Sequence, residues 1–165
     1  MVLWRISRFI DLKGTGGLRS SGRWHEAGLP VVYFAESPAG ALLEVCVHTS
    51  SNDVPPNYTL LRVEGPDLEC ESIPLESLPP DWATKPGITR ELGDKWLREK
   101  ASVVLKVPSA ILPQTCNYVF TPLHPDASQF TIVQTYTYPF DSSICELSSR
   151  MPESQRCSCT VTSSV

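Results

Sequence analysis

Nowhere in this chain does an apolar run approach the roughly 20 consecutive residues that a membrane-spanning helix takes, so no span is expected. Positive charge is also scarce: 14 Lys and Arg stand against 18 Asp and Glu, a net charge of −4. That balance argues against a nucleic-acid backbone as direct partner, since such binding needs clustered cations. It leaves room for a local basic pocket that takes a small phosphate. Histidine occurs three times, at 25, 48 and 124, in no H-x-H or H-x-x-x-H spacing, and no metal site is expected. A G-x-S-x-G elbow is missing, which argues against a serine hydrolase. The Gly/Ser-rich stretch KGTGGLRSSG (13–22) lacks both G-x-G-x-x-G and Walker spacing, so it does not read as a phosphate loop.

The opening MVLWRISRF has charge inside its apolar run and no small-residue cleavage pattern, and is not expected to be a signal peptide. The six cysteines (46, 70, 116, 145, 157 and 159) are scattered singly apart from Cys157-Ser-Cys159. Without a secretion signal they read as reduced thiols, and the expected location is cytoplasmic.

What remains is ordinary globular material: 41% apolar residues over 165, enough for one domain with a core of its own. VLWRIS (2–7) alternates and predicts a strand with Arg5 on its more polar side. PVVYFAE (30–36) reads as a buried strand. Ser37-Pro38 predicts a helix start, a capping hydroxyl before a proline at the first helical position, with the helix running to about His48. Further strands are expected at 57–65, 68–73, 102–108 and 129–140. A second helix is expected from a Thr89 cap through Lys100, with Leu92 and Trp96 on its buried side. Residues 142–165 are Ser-rich and aperiodic, and read as a mobile tail. Strands outnumber helices in irregular order, which predicts a single α+β domain over residues 1–141.

Several residues invite chemistry. Arg23, at the mouth of the Gly-rich loop, offers a permanently charged planar fork that suits phosphate oxygens; it can equally be a surface arginine stacked on Trp24. Glu44 interrupts the apolar AGALLEVCV (39–47) beside a stripe formed by 39, 42, 43, 46 and 47. Small residues one turn earlier (Gly40 and Ala41) leave space before it. A carboxylate facing a partly dry pocket suits an oxocarbenium-like transition state. The alternative is a solvent-facing Glu44–His48 pair. Tyr33 is core by default, with a hydroxyl that needs a partner. Ser109, after Pro108, either caps a turn or opens a short helix whose N-terminus attracts phosphate.

Together, LWRI (3–6), GRWHEAGLPVVYFAES (22–37), ALLEV (41–45), LGDKWL (92–97), VPSAI (107–111) and NYVFTPLHPD (117–126), ending near Phe140-Asp141, resemble the RES-domain family in order and spacing. The family is named for an arginine, a glutamate and a serine. The resemblance implies a fold like that of ADP-ribosyltransferases and, for this chain, a toxin of a bacterial toxin–antitoxin pair. Such a toxin destroys NAD⁺, which is its substrate rather than a cofactor, and its antitoxin carries an Xre-like helix-turn-helix. Some relatives instead modify a protein with ADP-ribose. A module that keeps the fold and only binds a nucleotide or partner is a third reading. The named residues fall on Arg23, Glu44 and Ser109, and Arg5 and Tyr33 fall where the family's nucleotide pocket is lined. In that picture the arginines hold the pyrophosphate, Tyr33 and Ser109 orient the nicotinamide–ribose end, and Glu44 faces the ribose. The chain departs from the pattern at Thr121-Pro122, where many relatives have Asn-Pro, and at Ser142, where a basic residue is frequent.

Overall fold

A computed structural model describes residues 1–48 and 56–140, His48 by its backbone alone. The expected tail lies outside the described residues. The chain builds one seven-stranded sheet from β1 (Val2–Ile6), β2 (Val32–Ala35), β3 (Asn57–Glu64), β4 (Glu71–Ser72), β5 (Val104–Pro108), β6 (Cys116–Phe120) and β7 (Thr131–Pro139). The strand order is β4-β5-β6-β2-β1-β3-β7, antiparallel throughout except for the short parallel β4–β5 pair. With α1 (Pro38–His48) and α2 (Pro86–Glu99) this is an α+β domain, as the irregular strand order predicted.

Strand register decides which residues share a side of the sheet. Trp4 pairs with Ala35, Ala35 with Asn117, and Asn117 with Val107, so these four point the same way. Both helices pack on that side. Ala41 of α1 is buried against Ala35 and Leu60. Trp96 and Leu97 of α2 join Trp24, Leu105, Val107 and Val119. The opposite face carries Leu3, Val32, Phe34, Val63, Val104 and Phe120, with Leu12, Leu68 and Ala127 from the connecting segments laid over it. Its aromatic rings meet edge to face, Phe120 with Phe34 at 5.8 Å and with Phe130 at 5.3 Å. Each large side chain buried this fully contributes about 1.5–3 kcal/mol of transfer free energy.

α1 starts as expected: Pro38 is its first residue, and the Ser37 hydroxyl accepts the Gly40 N–H at 3.0 Å. Its buried side is narrower than the predicted stripe. Ala41 and Cys46 are enclosed (5% and 3% exposed), while Ala39 is exposed and Leu42 and Leu43 are half-buried, because a groove opens along each flank of the helix.

Three expectations need correction. α2 begins at Pro86, so Thr89 is no cap. It is fully buried, and its hydroxyl donates to the Arg23 carbonyl at 2.5 Å and shares the Pro86 carbonyl at 3.0 Å. Leu92 is 38% exposed and only Trp96 of the expected pair is buried, because the face turned inward is Thr89–Gly93–Trp96–Leu97. The strand expected at 68–73 shrinks to two residues. Among the described strands, β6 escaped the sequence reading altogether; it wedges between β5 and β2.

Candidate functional site

The turn that presents Arg23 is clamped by α2. Thr89 holds the Arg23 carbonyl, Arg90 Nε donates to the Gly22 carbonyl at 2.8 Å, and the Glu26 N–H donates to Asp94 Oδ1 at 3.0 Å. Gly93 lies directly under the Trp24 carbonyl, where any Cβ would collide with backbone. Within the LGDKWL stretch, Gly93 and Asp94 seat this turn. Arg23 itself is half-buried, and its Nη1 donates to the Ala83 carbonyl at 2.6 Å.

From the sheet side, Tyr33 completes the clamp. Its hydroxyl accepts the Trp24 N–H at 3.1 Å and meets His25 Nδ1 at 2.8 Å. The Gly22 N–H also donates to Nδ1, at 3.1 Å, which assigns that nitrogen as the acceptor and places the proton of the neutral ring on Nε2. Burial lowers the His25 pKa below the ordinary imidazole value, against the opposing attraction of Asp94. Tyr33 thus spends its hydroxyl on the Arg23 turn.

Glu44, one and two-thirds turns into α1, meets the other strands. Its Oε1 accepts the Ser109 hydroxyl at 2.9 Å and Asn117 Nδ2 at 2.6 Å. Ser109 is 3% exposed, and its oxygen in turn accepts the Ile111 and Leu112 N–H groups at 3.2 and 3.3 Å. Of the two readings of Ser109 the cap holds: it closes the turn after β5, no helix opens there, and the amides at its oxygen aim its proton at Glu44. Asn117 is fixed by pairing with both Ala35 and Val107. Oε1 is held at once from β6 and from the residue just past β5, at the wall of a cavity of about 170 Å³ lined by Gly40, Leu43, Leu112 and Thr115. The competing Glu44–His48 pair depends on a side chain outside the described residues.

Of the five residues singled out in the sequence, Glu44 and Ser109 are in contact. Arg23 and Tyr33 are joined through the 22–25 turn on the same side of the sheet. Arg5 is not with them. It pairs with Leu61 and alternates with Trp4, which turns it to the helix-free face, where its Nη1 lies 3.4 Å from the Asp11 carbonyl. Burial lowers its pKa, with Asp11 countering. Asn117 went unnoticed. Its signal was a polar residue alternating with Val119 in CNYVF, at a position where an apolar side chain was due. Among the described residues no group of three His, Cys, Asp or Glu is arranged to hold a metal ion. No described helix is long and apolar enough to cross a membrane.

A family profile described as the RES domain matches residues 2–141. The chain belongs to the RES family. Among its curated relatives, "Toxin Res" of Pseudomonas putida is 51% identical over 140 residues, 83% of this chain and 96% of that protein. "Prs ADP-ribosylating toxin" of a Sphingobium species is 37% identical over 135 residues, 75% of this chain and 84% of that one. "Toxin Res" of Photorhabdus laumondii is 35% identical over 136 residues, 79% and 87%. In this RES chain Arg23, Glu44 and Ser109 all lie on the helix-bearing side of one sheet.

Proposed function

We propose that this RES chain is an enzymatic toxin that breaks the nicotinamide–ribose bond of NAD⁺. The observation that carries the reading is the Glu44 carboxyl, held by Ser109 and Asn117 at a small cavity wall. In the reaction the C1′–N bond breaks, its electron pair stays on the pyridine nitrogen, and neutral nicotinamide leaves. Positive charge develops at the ribose, and a carboxylate fixed beforehand stabilises it without reorganising. Phosphate or water then forms the new bond to C1′ and gives up a proton.

A cavity of about 170 Å³ is too small for the whole dinucleotide; sites that enclose such ligands run to about 300–1,000 Å³. It suits one end, the nicotinamide–ribose, with the pyrophosphate outside it toward Arg23. Arg23 would exchange the Ala83 carbonyl for phosphate oxygens, a better match for its fork. The Sphingobium relative, named an ADP-ribosylating toxin, supports a second reading, in which a protein side chain is the acceptor. As a toxin the chain would have an antitoxin partner, proposed to be Xre-like and to cover the cavity mouth.

The deciding experiment follows NAD⁺ with the purified chain, with and without phosphate, beside Glu44→Gln. Loss with the parent alone supports glycosidic cleavage centred on Glu44, and dependence on phosphate names the acceptor. Label transferred from NAD⁺ to macromolecules supports the second reading. Equal turnover by parent and variant overturns the assignment of Glu44.

A further inference from the structure

Of the two arginines expected at the pyrophosphate, Arg5 lies on the helix-free face, which leaves the task to Arg23. A side chain leaves the backbone in a direction set by the two peptide planes that flank it. The plane after Arg23 is held at both ends: its carbonyl accepts the Thr89 hydroxyl at 2.5 Å, and the Trp24 N–H donates to the Tyr33 hydroxyl at 3.1 Å. The plane before Arg23 is held at the Gly22 carbonyl, by Arg90 Nε at 2.8 Å. Nε carries one N–H in a rigid planar fork, so its aim is that of the whole guanidinium. Glu26 sets this aim. Its Oε1 accepts Arg90 Nη1 at 3.1 Å, its Oε2 accepts the Ser21 hydroxyl at 2.6 Å, and the Ser21 oxygen accepts the Ala27 N–H at 3.0 Å. An exposed Arg–Glu pair by itself adds little stability. This one, with Arg90 22% and Glu26 55% exposed, directs a donor at one backbone carbonyl.

We propose that Arg90 is a positioning residue for Arg23: it fixes the peptide plane before Arg23 and so sets how tightly this chain holds the pyrophosphate of NAD⁺. The inference rests on the reading of Arg23 as the pyrophosphate ligand. Arg90 suits the role because Gly22, whose carbonyl it holds, is already pinned on its other side. The Gly22 N–H donates to the His25 carbonyl at 2.9 Å, and a Cβ at Gly22 would collide with the Tyr33 hydroxyl and His25 Nδ1. With both planes fixed, Arg23 can release the Ala83 carbonyl and turn to a phosphate while its backbone stays in place. Without Arg90 the first plane rocks, and the substrate must order it on binding, at a cost in affinity. The pyrophosphate gains no charge as the C1′–N bond breaks. Its grip is therefore equal in the ground and transition states, and weakening it raises KM rather than lowering kcat. Glu44, which faces the bond that breaks, has the opposite signature.

The test follows NAD⁺ consumption by the full chain with Arg90→Met, which keeps the length and removes every donor, with Arg23→Met, and with the double variant. Hydrogen exchange at the amides of residues 22–24 is measured in parallel. The expected result for Arg90→Met is a KM for NAD⁺ raised about tenfold, the scale of one charge-assisted hydrogen bond. Its kcat should stay within about twofold of the parent, and exchange at residues 22–24 should quicken. In the Arg23→Met background the same substitution should leave kcat/KM unchanged, since a residue that acts through Arg23 has nothing left to act on. Should Arg90→Met fold poorly, Glu26→Gln loosens the same fork from an exposed carboxyl and should shift KM in the same direction. Unchanged KM and exchange overturn the proposal. So does a fall in kcat alone, or an equal loss of kcat/KM in the Arg23→Met background, which would make Arg90 a phosphate ligand in its own right. A parent that leaves NAD⁺ intact refutes the reaction reading instead. Exchange at residues 22–24 then decides whether Arg90 holds the plane, and no change there overturns its role.

Discussion

The two faces of the sheet are made of the same strands and do different work. On the face without helices, alternate residues are apolar and the contacts are ring edges and methyl groups. On the helix-bearing face, the same alternation brings Tyr33 and Asn117 to positions where α1 and α2 supply Glu44 and the seat of Arg23. An apolar face stabilises in proportion to the area it buries and tolerates no hole. The helix-bearing face also buries an apolar cluster around Trp24, Trp96 and Val107, and beside it fixes the direction of a few polar groups, which is what catalysis needs.

The largest expected effect breaks that contrast from the chemical side. Glu44→Gln should cut NAD⁺ consumption by at least ~10²–10³-fold, the range for removing one preorganised electrostatic group. Its melting temperature should stay within a few degrees of the parent, measured by calorimetry. The mirror experiment is Phe120→Ala, at a side chain 1% exposed between Phe34 and Phe130. It should destabilise the fold by about 3–5 kcal/mol in urea titration, while turnover per folded molecule stays near that of the parent. Were both substitutions to cost activity and stability alike, the division between faces would be wrong.

Asn117→Ala sharpens the comparison at one hydrogen bond. Removing a donor to a charged group costs about 1.5–3 kcal/mol, so kcat should fall ~10–100-fold with KM little changed, if Asn117 positions Glu44 rather than binding substrate. The smallest effect concerns the Arg23 turn and pH. The folded-state pKa of His25 is lowered, so the unfolded chain takes the proton first as pH falls. Stability owed to the neutral ring is fully present above the unfolded imidazole value of about 6.5 and is lost as pH drops through and below it. Denaturant midpoints between pH 8 and 5 should fall in the parent and fall less in His25→Gln.

Much of the site was legible without coordinates. Ser37-Pro38 announced α1, and Glu44 stood out as the one carboxylate in that helix. The run of motifs from LWRI to NYVFTPLHPD placed Arg23 and Ser109 beside it in function. Less of the geometry was legible. β6 hid because CNYVF follows a polar turn and is too short and mixed to show a period, and with it Asn117 was lost. Arg5 and Tyr33 were set together by the family resemblance, yet they end on opposite faces.

Local chemistry is written in neighbouring residues: a hydroxyl before a proline starts a helix, and Gly40 before Glu44 leaves it room. Those properties the sequence determined by itself. Which side of the sheet a residue faces depends on the register between strands far apart in the chain, and a shift of one residue reverses every side chain. That choice, which put Asn117 on Glu44 and turned Arg5 away from it, was made only when β6 closed against β2 and β1 against β3, because only the buried apolar surface of all the strands together distinguishes one register from the next.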